Sequence, residues 1–583
     1  MRIRMKPKLQ IIFVILLILT GWLIAQEPAA PPAQTQEARY KEIASQIKLM
    51  GDIYREISRN YVDEINNEKF IKAGIRGMLS TLDPYTVYYE PEQTDDLEMI
   101  THGQYGGIGV EIGLRGPNRE LTVISPIEDT PAARKGLRAG DVIIAVDGKS
   151  TTGFTTADAT KLIRGEQGTD VTLTIRRPGY DRLLEYTLTR ELIRIHDVSY
   201  AGIIEKDIGY IKLAHFSNRA GKELDSALAK VLRTKPSGLI LDLRSNPGGL
   251  LPAAIDVAQQ FLKPGDPIVS TKGRSPRSER TFKAGGEPKA PDIPIIVLIN
   301  GGSASASEIV AGAIQDLDRG VLVGTATFGK GLVQSVVNLQ EGAALKITTA
   351  RYYTPSGRLI QRDRTAADSI YGDEEGTSAD EEGPSLVPSK DVNDTNVARY
   401  TTRAGRSVFG GGGVTPDLKV EFPPVEPAGV EMFRRDMFYL FVNDWTMKFG
   451  KPGNVKVDDA MLIAFDRFLD SALFSPPVPG AEALQSLREI GKHDSLPALY
   501  FAFVDSLEKC LVAANSTKTP ELRSFISQSL TREIASILGG QEARIRASLA
   551  TDPQVAEAVR LFRSKEEYSS LLSPPPVAAG SRK

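Results

Sequence analysis

Sulfur and imidazole are scarce in this chain. Its 583 residues include one cysteine, Cys510, so no intrachain disulfide can form and no Cys/His cluster offers zinc ligands. The four histidines, His102, His196, His215 and His493, are scattered, and a Ser-His mechanism would have to recruit one of them. A surplus of one charge is missing too. With 71 basic and 73 acidic residues the net charge is −2, which leaves no electrostatic footprint for nucleic acid. There is no internal repeat, and no cysteine follows the apolar run near the N-terminus, which excludes a bacterial lipoprotein.

What is present starts with that run. MRIRMKPK carries Arg2, Arg4, Lys6 and Lys8 with no acid, and LQIIFVILLILTGWLIA follows at 9–25. The run falls a little short of the roughly 20 residues of a membrane span and suits the apolar region of a signal peptide. Residues 1–26 are read as a signal peptide cut after Ala25. The alternative is an uncleaved anchor, because Leu23 is a poor residue at −3. EPAAPPAQTQ, 27–36, is a linker. Either reading exports the body to the periplasm or cell envelope, and the second anchors it to the inner membrane.

The remainder, 41% hydrophobic over the whole chain, holds three or four domains at roughly 100–200 residues each. Ile43, Ile47, Met50, Ile53, Tyr54, Ile57 and Tyr61 keep helix spacing, and a helical module is assigned to 37–100. Residues 101–192 switch to period two: GVEIGL, LTVIS, VIIAV and VTLTIRR, with a hairpin signal at Asp147-Gly148 and one capped helix, TTADATKLI. From 193 to 425 buried strands (SGLILDL, IPIIVLIN, GVLVG) alternate with helices, the pattern of an α/β core. An acidic stretch without apolar periodicity, 362–400, is read as a mobile insertion. Residues 426–583 read as helical.

GTATFGKGLVQ, 324–334, imitates a phosphate-binding loop. It lacks the hydroxyl residue after Lys330, and LVQSVVNL reads as strand where a P-loop needs a helix. A lysine between glycines at a strand end has a second use. Free lysine has a pKa of roughly 10.4, and burial lowers it until the amine can take a proton from a serine. GGSASASE supplies Ser303, Ser305 and Ser307 at a helix start, where free amides and the helix dipole favour an oxyanion. Spacing does not choose among the three, and Ser305-x-x-Glu308 also fits a capping box.

YGGIGVEI followed by SPIEDTPAARKGLRAGDVIIAVDGKS resembles a PDZ domain. Such domains add an extended peptide to a sheet edge, and Gly106, Gly107, Ile108 and Gly109 would offer backbone N–H groups to its carboxylate. VLINGGSASASEIVAGAIQD, with 25 residues from Ser305 to Lys330 in TFGKGLVQ, resembles the carboxyl-terminal processing peptidases, or tail-specific proteases. The agreement runs from about 40 to 425 and takes in DLRSNPGG and YYTPSGRLIQ. It implies a multidomain α/β fold: a crotonase/ClpP-like core with an inserted PDZ domain. It further implies Ser305 as nucleophile, Lys330 as general base and Gln334 as its orienting partner. A straight strand would set 330 and 334 roughly 13 Å apart, so the chain must bend or Gln334 must act less directly. The resemblance also implies an oxyanion hole from the N–H groups of Ala306 and of Gly248 or Gly249. Arg164 falls where some relatives link tail binding to activation; a plain surface arginine is the alternative. No cofactor, metal or histidine is called for, and His215 is read as structural. The expected activity is endopeptidase cleavage of proteins with apolar C-termini, the alternative being a catalytically silent tail-binding scaffold. The region after 426 is extra: scaffold, a cover for the site, or a surface for an adaptor or a second copy.

Overall fold

A computed structural model describes residues 36–94, 99, 101–116, 118–362, 398–450, 456–476, 480–514 and 519–574. The signal or anchor segment, the linker up to 35 and most of the acidic insertion lie outside the described residues. The chain divides into two compact units, Met1–Leu82 and Asp83–Lys583. In the first, α1 (Gln36–Asn60) and α2 (Asn67–Leu79) pack through stacked Tyr54 and Phe70 rings, 5.9 Å apart, and through Met50 against Gly74. Asn66 caps α2 by accepting from Lys69 N–H at 2.9 Å.

The helical module is shorter than 37–100. In the second unit the Asp83 carboxylate accepts Tyr85 N–H, Thr86 N–H and Thr86 Oγ1, each at 2.9 Å, a turn that starts a new direction. It leads into β1 (Val87–Tyr89), which belongs to a sheet of the core.

The period-two region folds as expected. In order come β2 (Gln104–Gly107), β3 (Val110–Arg115), β4 (Glu120–Pro126), α3 (Pro131–Lys135), β5 (Val142–Val146), β6 (Lys149–Ser150), α4 (Thr156–Ile163), β7 (Asp170–Arg176), β8 (Leu184–Thr189) and β9 (Glu191–Arg194). The sheet runs β3-β4-β5-β7-β8, with β6 hairpinned to β5 and β3 at the end. Asp147 and Gly148 take φ of 49° and 75°, the left-handed pair that a two-residue hairpin needs. Alternate residues of β7, Val171, Leu173 and Ile175, enter the core beside Ile108, Val123, Ile143 and Leu188. β2 pairs with β9 where the chain enters and leaves.

The core begins with β10 (Val198–Ile204) and β11 (Ile208–Leu213), then α5 (Ala220–Leu232), β12 (Gly238–Asp242), α6 (Leu251–Ala258), β13 (Pro267–Lys272), β14 (Arg280–Lys283), β15 (Ile295–Ile299), α7 (Ala306–Asp316), β16 (Val321–Gly324), β17 (Leu332–Asn338) and β18 (Ala344–Tyr353). β19 (Arg399–Thr401), β20 (Ser407–Phe409) and β21 (Leu418–Lys419) complete it. The main sheet is β10-β11-β12-β15-β16-β21, parallel from β11 onward. A second, antiparallel sheet joins β1, β18, β13 and β14, with β17 on β18. The expected insertion ends earlier than 400, because β19 pairs with β20.

Both faces of the main sheet are covered, as its continuous apolar strands require. Leu239, Leu241, Val297 and Leu322 face α5, α6 and α7. Ile240, Ile296, Leu298, Val321 and Val323 face the other way, onto residues of the C-terminal helices. These are α8 (Pro427–Arg434), α9 (Met437–Phe449), α10 (Asp459–Ser471), α11 (Ala481–His493), α12 (Ala498–Ala514), α13 (Pro520–Leu549), α14 (Pro553–Arg563) and α15 (Lys565–Leu571). α13 breaks at Gly539 and Gly540. Its first half packs with Phe438, Phe441 and Phe465, whereas Ile545 beyond the break joins Val555, Leu561 and Phe562 on the sheet.

Candidate active site

Ser305 stands between β15 and α7, and the packing separates it from its two neighbours. Ser303 Oγ donates to Leu243 O at 2.8 Å and Ser307 Oγ donates to Asn246 O at 2.9 Å; both side chains are fully buried. Ser305 is half-buried and takes φ 53° and ψ −110°, a strained conformation for a non-glycine residue at a helix start. α7 behind it is buried along its whole length.

The capping residue Glu308 does more than end a helix. Its buried carboxylate accepts Ser305 N–H at 2.8 Å, Gly329 N–H at 2.8 Å, Lys330 N–H at 2.9 Å and the Thr327 hydroxyl. One side chain thus ties the backbones of Ser305 and Lys330 to a single point. Burial still pushes its carboxyl above the usual range, against those four bonds. Tyr352 repeats the link from the other side: its hydroxyl contacts Ser305 O at 3.1 Å and also Lys330 O.

Lys330 is held away from water. Burial, helped by the charge of Lys346, lowers its pKa to about 8. Its Nζ donates to Gln334 Oε1 at 2.8 Å and lies 4.6 Å from the centre of the Tyr85 ring. The long separation of a straight strand does not apply. β17 starts only at Leu332, Gly329 turns the chain at φ 88°, and a bulge between Val333 and Gln334 re-aims the glutamine. Gln334 Nε2 donates to Tyr85 O, which leaves Oε1 for the lysine. No hydrogen bond joins Ser305 Oγ to Lys330 Nζ in this conformation. The strand after Gly331 also removes the helix that a phosphate loop needs.

RSNPGG lies directly against Ser305. A Cβ on Gly248 would meet Ala304 O at 2.6 Å and Ser305 Cβ at 2.8 Å, so the close approach requires glycine. Gly248 N–H is engaged within the turn, donating to Asn246 Oδ1 at 2.9 Å. The resemblance left Gly248 and Gly249 open as oxyanion donors, and in this conformation the Gly248 N–H is the occupied one. Gly249 is bridged to Phe216 through the groups of its neighbours, and its own N–H donates no hydrogen bond among the described residues. Ala306 N–H begins α7, where no intrahelical acceptor exists.

In the period-two domain Gly106 and Gly107 end β2, paired with β9, and the carbonyls of Ile108 and Gly109 accept from Ala132, Ile127 and Thr130, fixing the turn from β2 into edge strand β3. Gly109 has φ 73° and the Ile108 side chain is core. Gly106 meets Gly165 so closely that a Cβ would stand 2.2 Å from its carbonyl. Arg164 ends α4 and sets its guanidinium 4.7 Å from the Tyr105 ring centre, beside Gly107. His215 is half-buried near Asp197.

Sequence reasoning missed Tyr85 and Tyr352 and took Glu308 for a cap alone. The Asp-Pro turn at 83–84 was the available signal for Tyr85. For Tyr352, a tyrosine pair in a strand gave none.

A strained serine tied through Glu308 to a buried lysine on an α/β core, with a PDZ domain ahead of it, is the arrangement of a serine peptidase. Sequence profiles agree: peptidase family S41 matches 207–371, a PDZ domain 122–177, a C-terminal helical domain of PDZ-proteases 429–562, and the N-terminal domain of the activating protease CtpB 18–93. The carboxy-terminal-processing protease of Bartonella bacilliformis is 44% identical over 330 residues, which is 56% of this chain and 74% of that protein. The Synechocystis carboxyl-terminal-processing protease is 40% identical, over 54% of this chain and 78% of its own. The chloroplastic C-terminal processing peptidase of Tetradesmus obliquus is 32% identical, over 62% and 84%. The chain belongs to the carboxy-terminal-processing protease family.

Proposed function

We propose that Ser305 is the nucleophile, Lys330 the general base, Gln334 the group that orients it, and the N–H groups of Gly249 and Ala306 the oxyanion donors. The observation that carries this reading is the shared anchor at Glu308, which fixes Ser305 and Lys330 to one carboxylate. Lys330 Nζ swings from Tyr85 toward Ser305 Oγ while keeping Gln334 as acceptor, and its lone pair takes the serine proton. Oγ attacks the scissile carbonyl, the two N–H groups hold the oxyanion, and the lysine ammonium protonates the leaving amine. Water, activated by the same lysine, releases the acyl group. The substrate is a protein whose apolar C-terminal tail adds to the edge of β3, its carboxylate received by the loop at 106–109. Arg164, beside that loop, is the residue to relay tail binding. Residues 1–26 export the enzyme to the periplasm or cell envelope and, if uncut, anchor it to the membrane.

Digests of an unfolded substrate with an apolar tail, analysed by mass spectrometry beside a charged-tail substrate, test this. Cleavage by the wild type and not by Ser305→Ala, with the apolar tail favoured, is the expected result. Cleavage that survives Ser305→Ala overturns the assignment. Fractionation and N-terminal sequencing of the expressed full chain check export and cleavage after Ala25.

A further inference from the structure

The oxyanion turn springs from the end of β12, and the residue at that junction is gripped from outside the core. Arg244 Nε and Nη2 donate to Asp242 at 2.6–3.1 Å. Its Nη1 donates to Asp552 Oδ2 at 2.6 Å and to Gln554 Oε1 at 3.0 Å, both at the start of α14. Tyr210 completes the group by donating to Asp242 at 2.5 Å. The five side chains are at most 9% exposed. Asp552 is fixed in its turn, since Oδ1 accepts Gln554 N–H and Val555 N–H at 2.9 and 3.1 Å. Gln554 Nε2 donates to Val420 O at 2.7 Å.

The next residue explains why such a grip matters. Ser245 is non-glycine at φ 57°, a conformation that persists only where its surroundings over-determine it. On one side Asn300 Oδ1 accepts Ser245 N–H at 2.8 Å. On the other stands Arg244. If Arg244 is loosened, Ser245 can relax from positive φ, and that rotation carries Asn246 to Gly249 with it.

We infer that Asp552, with Gln554, is a positioning residue for catalysis: by clamping Arg244 it keeps Ser245 strained and the Gly249 N–H aimed at the reacting carbonyl. The C-terminal helices are then part of the peptidase and not an appended scaffold. The inference rests on the Ser-Lys reading above.

The test uses the full chain. Asp552→Asn keeps an oxygen for the α14 cap and removes the charge that faces Arg244. It is expected to lower kcat about ten- to a hundredfold, the scale of a misplaced oxyanion donor, with KM within about twofold. Arg563→Ala, which breaks the exposed link from α14 to Asp207, is the control for docking in general and leaves kcat unchanged. The double variant Ser245→Gly/Asp552→Asn is expected to regain most of the lost kcat, because glycine holds positive φ without strain. Should Asp552→Asn not fold, Gln554→Met removes the other acceptor from Arg244 and shows the same split in smaller measure. A kcat for the tested variant within twofold of wild type, an equal fall in Arg563→Ala, or no recovery in the double variant overturns the inference. The rate of Ser305 labelling by a fluorophosphonate, with Ser305→Ala as blank, separates the two levels. Labelling of the wild type that Asp552→Asn does not slow sinks the positioning role alone. No labelling of the wild type overturns the Ser-Lys reading together with it.

Discussion

Lys330 carries the plainest consequence at the scale of a residue. Its folded-state pKa of about 8 lies below the roughly 10.4 of an unfolded lysine. A base must be unprotonated, so kcat/KM rises with pH and levels off above about 8; a flat profile from pH 6 to 10 contradicts a lysine base. The same shift affects stability with a definite sign. Below pH 8 the buried amine is charged in both states, and the folded state bears the full penalty. The penalty fades as pH rises toward 10.4. Lys330→Met is therefore expected to be inactive yet more stable at pH 7, by on the order of 2 kcal/mol, with the gain gone above pH 10.5 in melting experiments. Glu308 gives a second prediction. Glu308→Gln turns one acceptor into a donor facing N–H groups of Ser305, Gly329 or Lys330, and kcat should fall by at least about tenfold. Full activity in a folded variant would show that the shared anchor is not needed. At this scale the residue types were legible, spacing left three serines open, and the resemblance alone pointed to Ser305. Packing adds a physical difference that spacing does not carry, because it commits Ser303 and Ser307 to carbonyls of the neighbouring strand and turn.

Elements follow the sequence where the signal is local. The Asp147-Gly148 hairpin, the capped α4 and the alternation of β7 each depend on residues adjacent in the chain, and all appear as read. β1 was not legible, because three residues cannot form a strand without the partner β18, more than 250 positions away. Nor was the commitment of Gly248 N–H to the Asn246 side chain, which depends on the fold of the turn itself. That turn yields the prediction proper to elements. Gly248→Ala places a methyl group 2.6 Å from Ala304 O at φ 96°, so the turn and Ser305 must part. A loss in kcat of about a hundredfold or more is expected, with folding retained by circular dichroism. Loss below tenfold would mean that the turn does not serve the reacting carbonyl.

The whole molecule depends on a layer that the sequence showed without its address. The apolar runs of β12, β15 and β16 demanded cover on both faces, and the amphipathic helices after 426 each had a face to bury, yet nothing in either pattern paired them. The structure does so through Ile240, Ile296, Leu298 and Val323 against Ile545, Val555, Leu561 and Phe562. Phe562 reaches so far in that a Cβ on Gly238 would meet its ring at 2.6 Å. Phe562→Ala should cost about 3 kcal/mol, read by chemical denaturation, because neighbouring strands cannot close the cavity. A chain ending at residue 425 should fail more completely. It would expose the second face of the central sheet as one continuous apolar surface, and aggregation rather than a folded core is the expected outcome. A soluble, monomeric 37–425 fragment with a sharp melting transition would show that the sheet stands without these helices. Their contact with Arg244 would then be an addition to a core already complete.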